Sequence, residues 1–170
     1  MAIAINKKFV GVVSASLLSG AVLWEGTKYE AYYDIAGVPT VCMGYTGKGI
    51  VFGKKYSHEE CTNFLRTELV VHGKGVLECI SKPLEEHTYN AFTLMAYNVG
   101  TSGFCNSRAA KLYNQGYSKE ACYAMYRDNN GKPVWSYAKV DGKLTFVKGL
   151  YNRRKYEAAM CLGDSNAKLD

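Results

Sequence analysis

Residues 25 to 40 read Glu25-Gly-Thr-Lys-Tyr-Glu-Ala-Tyr-Tyr-Asp34-Ile-Ala-Gly-Val-Pro-Thr40. A carboxylate is followed nine positions later by a second, and six positions after that by a hydroxyl, with the turn-forming run Gly37-Val38-Pro39 in between. Hydrolysis of an acetal requires one group to protonate the leaving oxygen and another to activate water on the opposite side, so two carboxyls must act in different protonation states. A helix end and a following turn or strand can hold Glu25 and Asp34 across such a bond. The spacing alone is far more often that of two solvated carboxylates. Thr40 suits a hydrogen-bonding partner of the water, because its hydroxyl does not ionise near neutral pH.

Upstream, Lys7-Lys8 precedes an uncharged run from Phe9 to Trp24, the layout of an export signal. At about 1.5 Å per residue the run falls short of the roughly 30 Å hydrocarbon core. Gly11, Gly20, Ser14, Ser16 and Ser19 weaken it further. Three readings compete: a signal peptide cleaved near Ser19-Gly20-Ala21, a weak retained anchor, and a buried first helix of a soluble protein. Gly26 is the natural left-handed stop of a helix ending at Glu25. Glu25 then meets the negative end of the helix dipole beside apolar Trp24, and both disfavour a negative charge there.

Downstream the period changes. Thr40 to Tyr45 predicts a short strand with Thr40, Cys42 and Gly44 on one face, Thr46 to Gly49 a turn, and Ile50-Val51-Phe52 a last strand. Ser57 with Glu60 is a capping box, opening a helix to about His72. A helix starting near Pro83 and ended by Gly100 and Gly103 is apolar nearly all round, which marks it as central. Shorter helices are expected at about 105–115 and 119–127, a loop at 128–147, and a final helix at about 148–162 stopped by Gly163. The fold class is therefore α+β, mainly α. Residues 1–24 form an apolar signal-anchor or first helix, about 25–56 a small antiparallel sheet lobe, and about 57–170 a larger helical lobe, with a cleft between the lobes.

Within 170 residues, 21 Lys and Arg against 15 Asp and Glu leave a formal charge of +6, which favours an anionic partner: nucleic acid, a membrane surface or a cell wall. The basic residues are dispersed. Their densest group, Arg153-Arg154-Lys155, falls in a helical pattern and reads as a solvated face rather than a nucleic-acid stripe, so no nucleic-acid partner is expected. Six cysteines without a C-x-x-C pair exclude the usual zinc and thioredoxin signatures and predict up to three disulfides in an oxidising compartment. The connectivity stays open. Cys42–Cys61 is the first choice, tying sheet to the next helix, followed by Cys79–Cys105 and Cys122–Cys161. His58, His72 and His87 lack metal spacing and read as surface or cap residues. Neither a G-x-S-x-G elbow nor a phosphate-binding loop is present, and no metal or cofactor is expected.

Glu25-Gly26, Tyr32-x-Asp34, Gly37-x-x-Thr40 and Gly44 together resemble the phage-type lysozymes, muramidases used as endolysins. So do Tyr97-Asn98-Val99-Gly100, Phe104, Leu112-x-Asn114-x-Gly116 and Gly149-Leu150-x-x-Arg153-Arg154-x-x-Glu157. The resemblance runs from about residue 22 onward. It implies a lysozyme-like two-lobed fold and hydrolysis of the β-1,4 link between N-acetylmuramic acid and N-acetylglucosamine in peptidoglycan. It also implies Glu25 as general acid, Asp34 as the group that orients or activates water, and Thr40 as that water's hydroxyl partner. Tyr32, Tyr33 and Tyr45 flank the site as sugar contacts, and Asn98 in the distant motif is a further substrate-binding candidate. A non-catalytic wall-binding protein of the same fold is the alternative.

Two departures stand out. Family members commonly carry Gly at the place of Cys42 and His at the place of Tyr45. The cysteine suits an exported subgroup, whose signal-arrest-release segments the N-terminus also resembles. That subgroup implies a monomer tethered to the inner membrane through residues 9–24, inactive until released into the periplasm; the alternative is a cytoplasmic enzyme awaiting holin-dependent release. No cysteine precedes Cys42, so unmasking by thiol exchange in the membrane segment is not expected.

Overall fold

The computed structural model describes residues 4–5, 13–34 and 37–164. The chain divides into two compact units: one is Val13–Val71, the other runs from His72 onward and includes a short strand near the N-terminus.

In the first unit, helix α1 spans Ala15–Trp24, and its N-cap Ser14 accepts the Leu17 N–H at 3.2 Å. Leu17, Gly20 and Ala21 are buried, while Leu23 is exposed. The helix does not stop at a left-handed Gly26. Glu25 itself becomes extended, at φ −100° and ψ 122°, because the chain passes directly into strand β2 (Lys28–Tyr33) without reversing. Strand β3 (Pro39–Cys42) pairs antiparallel with β2, placing Tyr32 opposite Thr40 and Lys28 opposite Cys42.

The strand expected to reach Tyr45 ends at Cys42. Val41 and Tyr45 exchange both backbone hydrogen bonds at 2.9 Å, closing a loop over Cys42-Met43-Gly44. Cys42 and Gly44 adopt positive φ, 59° and 89°. The expected alternation therefore fails, and Val41, Cys42 and Met43 are all buried in succession. Residues 50–52 form no strand either. Their backbone is held by the Tyr56 hydroxyl, which accepts the Val51 N–H at 2.8 Å, while the sheet gains a bridge between Glu30 and Lys55.

Helix α2 (His58–Cys79) opens on the expected capping box: Ser57 Oγ accepts the Glu60 N–H at 3.1 Å, and Glu60 Oε2 accepts the Ser57 N–H at 2.8 Å. It continues past His72 through Gly73 and Gly75. A Cβ at Gly73 would lie 2.1 Å from the Tyr89 hydroxyl, and one at Gly75 only 2.3 Å from Thr101 Cγ2. These glycines permit close packing rather than end the helix. Gly75→Ala is accordingly expected to destabilise by about 1–3 kcal/mol through overpacking. Gly149→Ala, whose Cβ meets nothing within 4 Å, is expected to be neutral or mildly stabilising; urea titration of both variants checks the contrast.

In the second unit, β1 (Ala4–Ile5) pairs antiparallel with β4 (Leu84–Glu85). Helix α3 (Glu86–Val99) is central as expected: every residue from Thr88 to Ala96 is buried, and the helix packs along α7 (Lys148–Cys161). Around it lie α4 (Thr101–Cys105), α5 (Arg108–Asn114) and α6 (Ser118–Tyr123). The Phe92 ring packs on Phe104 and Tyr113 at 4.9 and 5.2 Å. Within the expected loop at 128–147 the chain forms a hairpin, β5 (Tyr137–Val140) with β6 (Lys143–Phe146). Its turn is Asp141-Gly142, both at positive φ, the dipeptide signature of a two-residue hairpin loop.

Three disulfides form in the first-choice pairing: Cys42–Cys61, Cys79–Cys105 and Cys122–Cys161. Arg153 and Arg154 do not form a solvated face. Both are buried, because Glu157 one turn on supplies a buried counter-charge; its Oε1 accepts from Arg153 Nε at 3.2 Å and from Arg154 Nη2 at 2.7 Å.

Candidate active site

Glu25, Asp34, Thr40 and three of the four expected sugar contacts belong to the first unit; Asn98 belongs to the second. Glu25 occupies the C-cap of α1 and is half-buried, its N–H bonded to the Ala21 carbonyl at 3.2 Å. Asp34 follows the last residue of β2. Thr40 lies in β3, buried, facing Tyr32 across the pair.

Asp34 and Thr40 converge on one residue, Val38. The Val38 N–H donates to Asp34 Oδ1 at 2.9 Å, the Asp34 N–H donates to the Val38 carbonyl at 3.0 Å, and Thr40 Oγ1 donates to that same carbonyl at 2.9 Å. The turn thus holds the carboxylate and the hydroxyl in fixed relation through main-chain atoms. With its proton directed at Val38, the Thr40 oxygen can act on a water only as an acceptor. Val38 was not among the expected site residues; its role is carried by backbone groups, which side-chain type does not reveal. The available signal was an Asp before a Gly-containing turn, where short polar side chains bind nearby amides.

The aromatic residues separate by environment. Lys28 Nζ lies 3.9 Å from the centre of the half-buried Tyr32 ring. Tyr33 is exposed and stacks on exposed Phe52 with centroids 4.8 Å apart. Tyr45 lies flat on Phe64 of α2 at 4.2 Å, and its hydroxyl donates to the Lys48 carbonyl at 3.0 Å. It also covers Gly47, where a Cβ would stand 2.3 Å from that hydroxyl. Tyr45 thus braces the turn after β3. Asn98 is exposed in the last turn of α3.

Among the described residues no group of side chains has metal-site geometry. The histidines have individual partners: His58 the Tyr29 hydroxyl at 3.4 Å, His72 the Thr101 hydroxyl at 2.9 Å, and His87 both Glu85 Oε2 at 2.6 Å and the Cys161 carbonyl at 2.9 Å. A cavity of about 550 Å³ in the second unit is lined by residues including Leu84, His87, Tyr113 and Lys119, and holds none of the expected site residues.

A short helix running into a small antiparallel hairpin, together with a helical unit built round one buried helix, defines a lysozyme-like fold. The phage lysozyme family model matches residues 22–157, so the chain belongs to that family. It is 36% identical to the SAR-endolysin of Pseudomonas phage phiKMV over 162 residues, which is 95% of each chain. It is 38% identical over 138 residues to the SAR-endolysin of Bacteriophage PS119, covering 81% of this chain and 76% of that one. Among solved structures, the endolysin from Escherichia coli O157:H7 phage FAHEc1 superposes with a TM-score of 0.76 at 28% identity, covering 89% of this chain and 93% of that one. The protein is a lysozyme-type glycoside hydrolase, an endolysin that opens peptidoglycan.

Among the described residues no helix is long and apolar enough to cross a membrane. Of the apolar run from Phe9 to Trp24, residues 9–12 lie outside the described residues, and most of the rest forms α1.

Proposed function

We propose that Glu25 is the general acid, Asp34 the group that directs and deprotonates the attacking water, and Thr40 the acceptor that orients it. In this reading Glu25 delivers its proton to the glycosidic oxygen as the bond from the N-acetylmuramic acid anomeric carbon breaks. Water adds to that carbon and gives its proton to Asp34. The observation that carries the assignment is the shared grip of Asp34 and Thr40 on Val38, which sets a carboxylate and a hydroxyl acceptor at a fixed separation. Tyr32, Tyr33, Tyr45 and Asn98 are proposed as sugar contacts, with Tyr33 favoured by its exposed, stacked ring.

The direct test is Asp34→Asn. It keeps an oxygen for the Val38 amide but cannot take a proton, and release of soluble muropeptides is expected to fall by about 10²–10⁴-fold. Parental rates from Asp34→Asn would remove it from the mechanism.

The same reading includes tethering to the inner membrane by residues 9–24 before release into the periplasm, supported by the Lys7-Lys8 flank, the uncharged run and the SAR-endolysin relatives. In fractionated cells the full chain is expected to appear in the membrane fraction before lysis. A chain lacking residues 1–21 is expected to be absent from that fraction and inactive, since it loses Leu17 and Ala21 from the core. Equal partitioning of the two chains would end the tethering proposal.

A further inference from the structure

Cys42 is buried and sits at φ 59°, in the left-handed region, with a side chain that disfavours it. It is also the first residue of the loop that Val41 and Tyr45 close with two 2.9 Å hydrogen bonds. Without that backbone conformation the chain cannot reverse within Cys42-Met43-Gly44, and the Val41–Tyr45 pair opens. Thr40, two residues earlier, depends on the same strand for its place opposite Tyr32 and for its bond to the Val38 carbonyl. The partner that holds Cys42 is Cys61, in the first turn of α2, with the two Cα atoms 5.1 Å apart. That end of α2 is fixed by the reciprocal Ser57–Glu60 cap and by the 2.6 Å ion pair of Glu60 with Lys54.

We infer that the Cys42–Cys61 disulfide is a positioning device for Thr40: it holds residue 42 in the left-handed conformation that a glycine would adopt unaided. The inference rests on the proposed role of Thr40. Two variants lacking the cross-link separate conformation from covalent linkage. Cys42→Gly with Cys61→Ala restores backbone freedom at residue 42; Cys42→Ala with Cys61→Ala does not.

Muropeptide release is measured for both, with kcat and KM resolved, at a temperature where both are folded by circular dichroism. The glycine variant is expected to keep kcat within a factor of about three of the parent, since glycine populates positive φ readily. The alanine variant is expected to lose roughly tenfold in kcat at unchanged KM, the population penalty of a left-handed residue bearing a Cβ. Cys42→Asn with Cys61→Ala is expected to fall between them, as Asn tolerates this region better than Ala. Should the alanine variant fail to fold, the ordering of the glycine and asparagine variants carries the test. Equal kcat across the folded variants, or failure of the glycine variant to fold, overturns the inference, because the cross-link would then support the unit as a whole. Thr40→Val in the disulfide-bonded parent checks the underlying reading separately: a parental kcat there removes Thr40 from the mechanism whatever the cysteine variants do.

Discussion

Glu25→Gln is expected to fold as the parent does and to lose peptidoglycan hydrolysis by about 10²–10⁴-fold, the range that a positioned general acid contributes. The fold is expected to persist because the amide is isosteric with the carboxyl and leaves the backbone contacts of residue 25 in place. Its N–H caps α1 on the Ala21 carbonyl, and its extended conformation feeds β2, neither of which the amide alters. Glutamine keeps the side-chain shape and hydrogen-bonding capacity but has no proton to give the leaving oxygen. The check pairs a zymogram with thermal unfolding of the same preparation. Undiminished clearing by Glu25→Gln would exclude Glu25 as the acid, whereas lost clearing with a lowered melting temperature would point to damage at the end of α1.

Glu157→Leu is expected to destabilise the protein by about 3–5 kcal/mol, because it removes a buried carboxylate that both buried guanidinium groups contact while leaving them in place. Glu157→Gln keeps an acceptor for Arg153 and Arg154 and is expected to cost less. Burial pushes the Glu157 carboxyl up, against the pull of Arg154 and Arg153. A carboxyl whose pKa is raised by folding binds its proton more tightly in the folded chain. The shift is the net of burial over pairing, so ionisation costs more in the folded than in the unfolded chain and net stability falls as pH rises through the folded value, while the charge once formed is held by the two guanidinium groups. Urea midpoints collected from acid to neutral pH should show that fall in the parent and lack it in Glu157→Gln. A Leu variant within about 1 kcal/mol of the parent, the scale of an ordinary substitution, would show that the arginines are compensated without Glu157.

These two residues were not equally legible. The spacing of Glu25 to Asp34 is too common to mark a site by itself; the surrounding glycines, Thr40 and the helical motifs tie it to a family. Glu157 is part of a matched motif, but charge alone assigns Arg153 and Arg154 to a solvated face. The error is physical: side-chain type signals exposure only on average, and a charge is buried when a counter-charge one turn away is buried with it.

Glycine shows the same division. Gly100 and Gly163 end their helices at positive φ, whereas Gly103, also expected to end α3, lies inside α4. Gly26 does not, because a strand rather than a reversal follows it. Gly73 and Gly75 lie inside α2, where Tyr89 and Thr101 require their missing side chains. The Asp141-Gly142 hairpin was visible as a dipeptide but was masked by the polar composition around it.

What the sequence determined by itself is whatever neighbouring residues settle among themselves: the Ser57–Glu60 cap, the apolar circumference of α3, the chain reversal at Gly37, and the family motifs. The tertiary structure alone decided which residues far apart in the chain meet: the close packing at Gly75, the buried side of α7, and the left-handed Cys42. That last conformation depends on Cys61, nineteen residues away, and on the loop it closes. The local preference of a cysteine opposes it, so no reading of neighbouring residues could have placed it there.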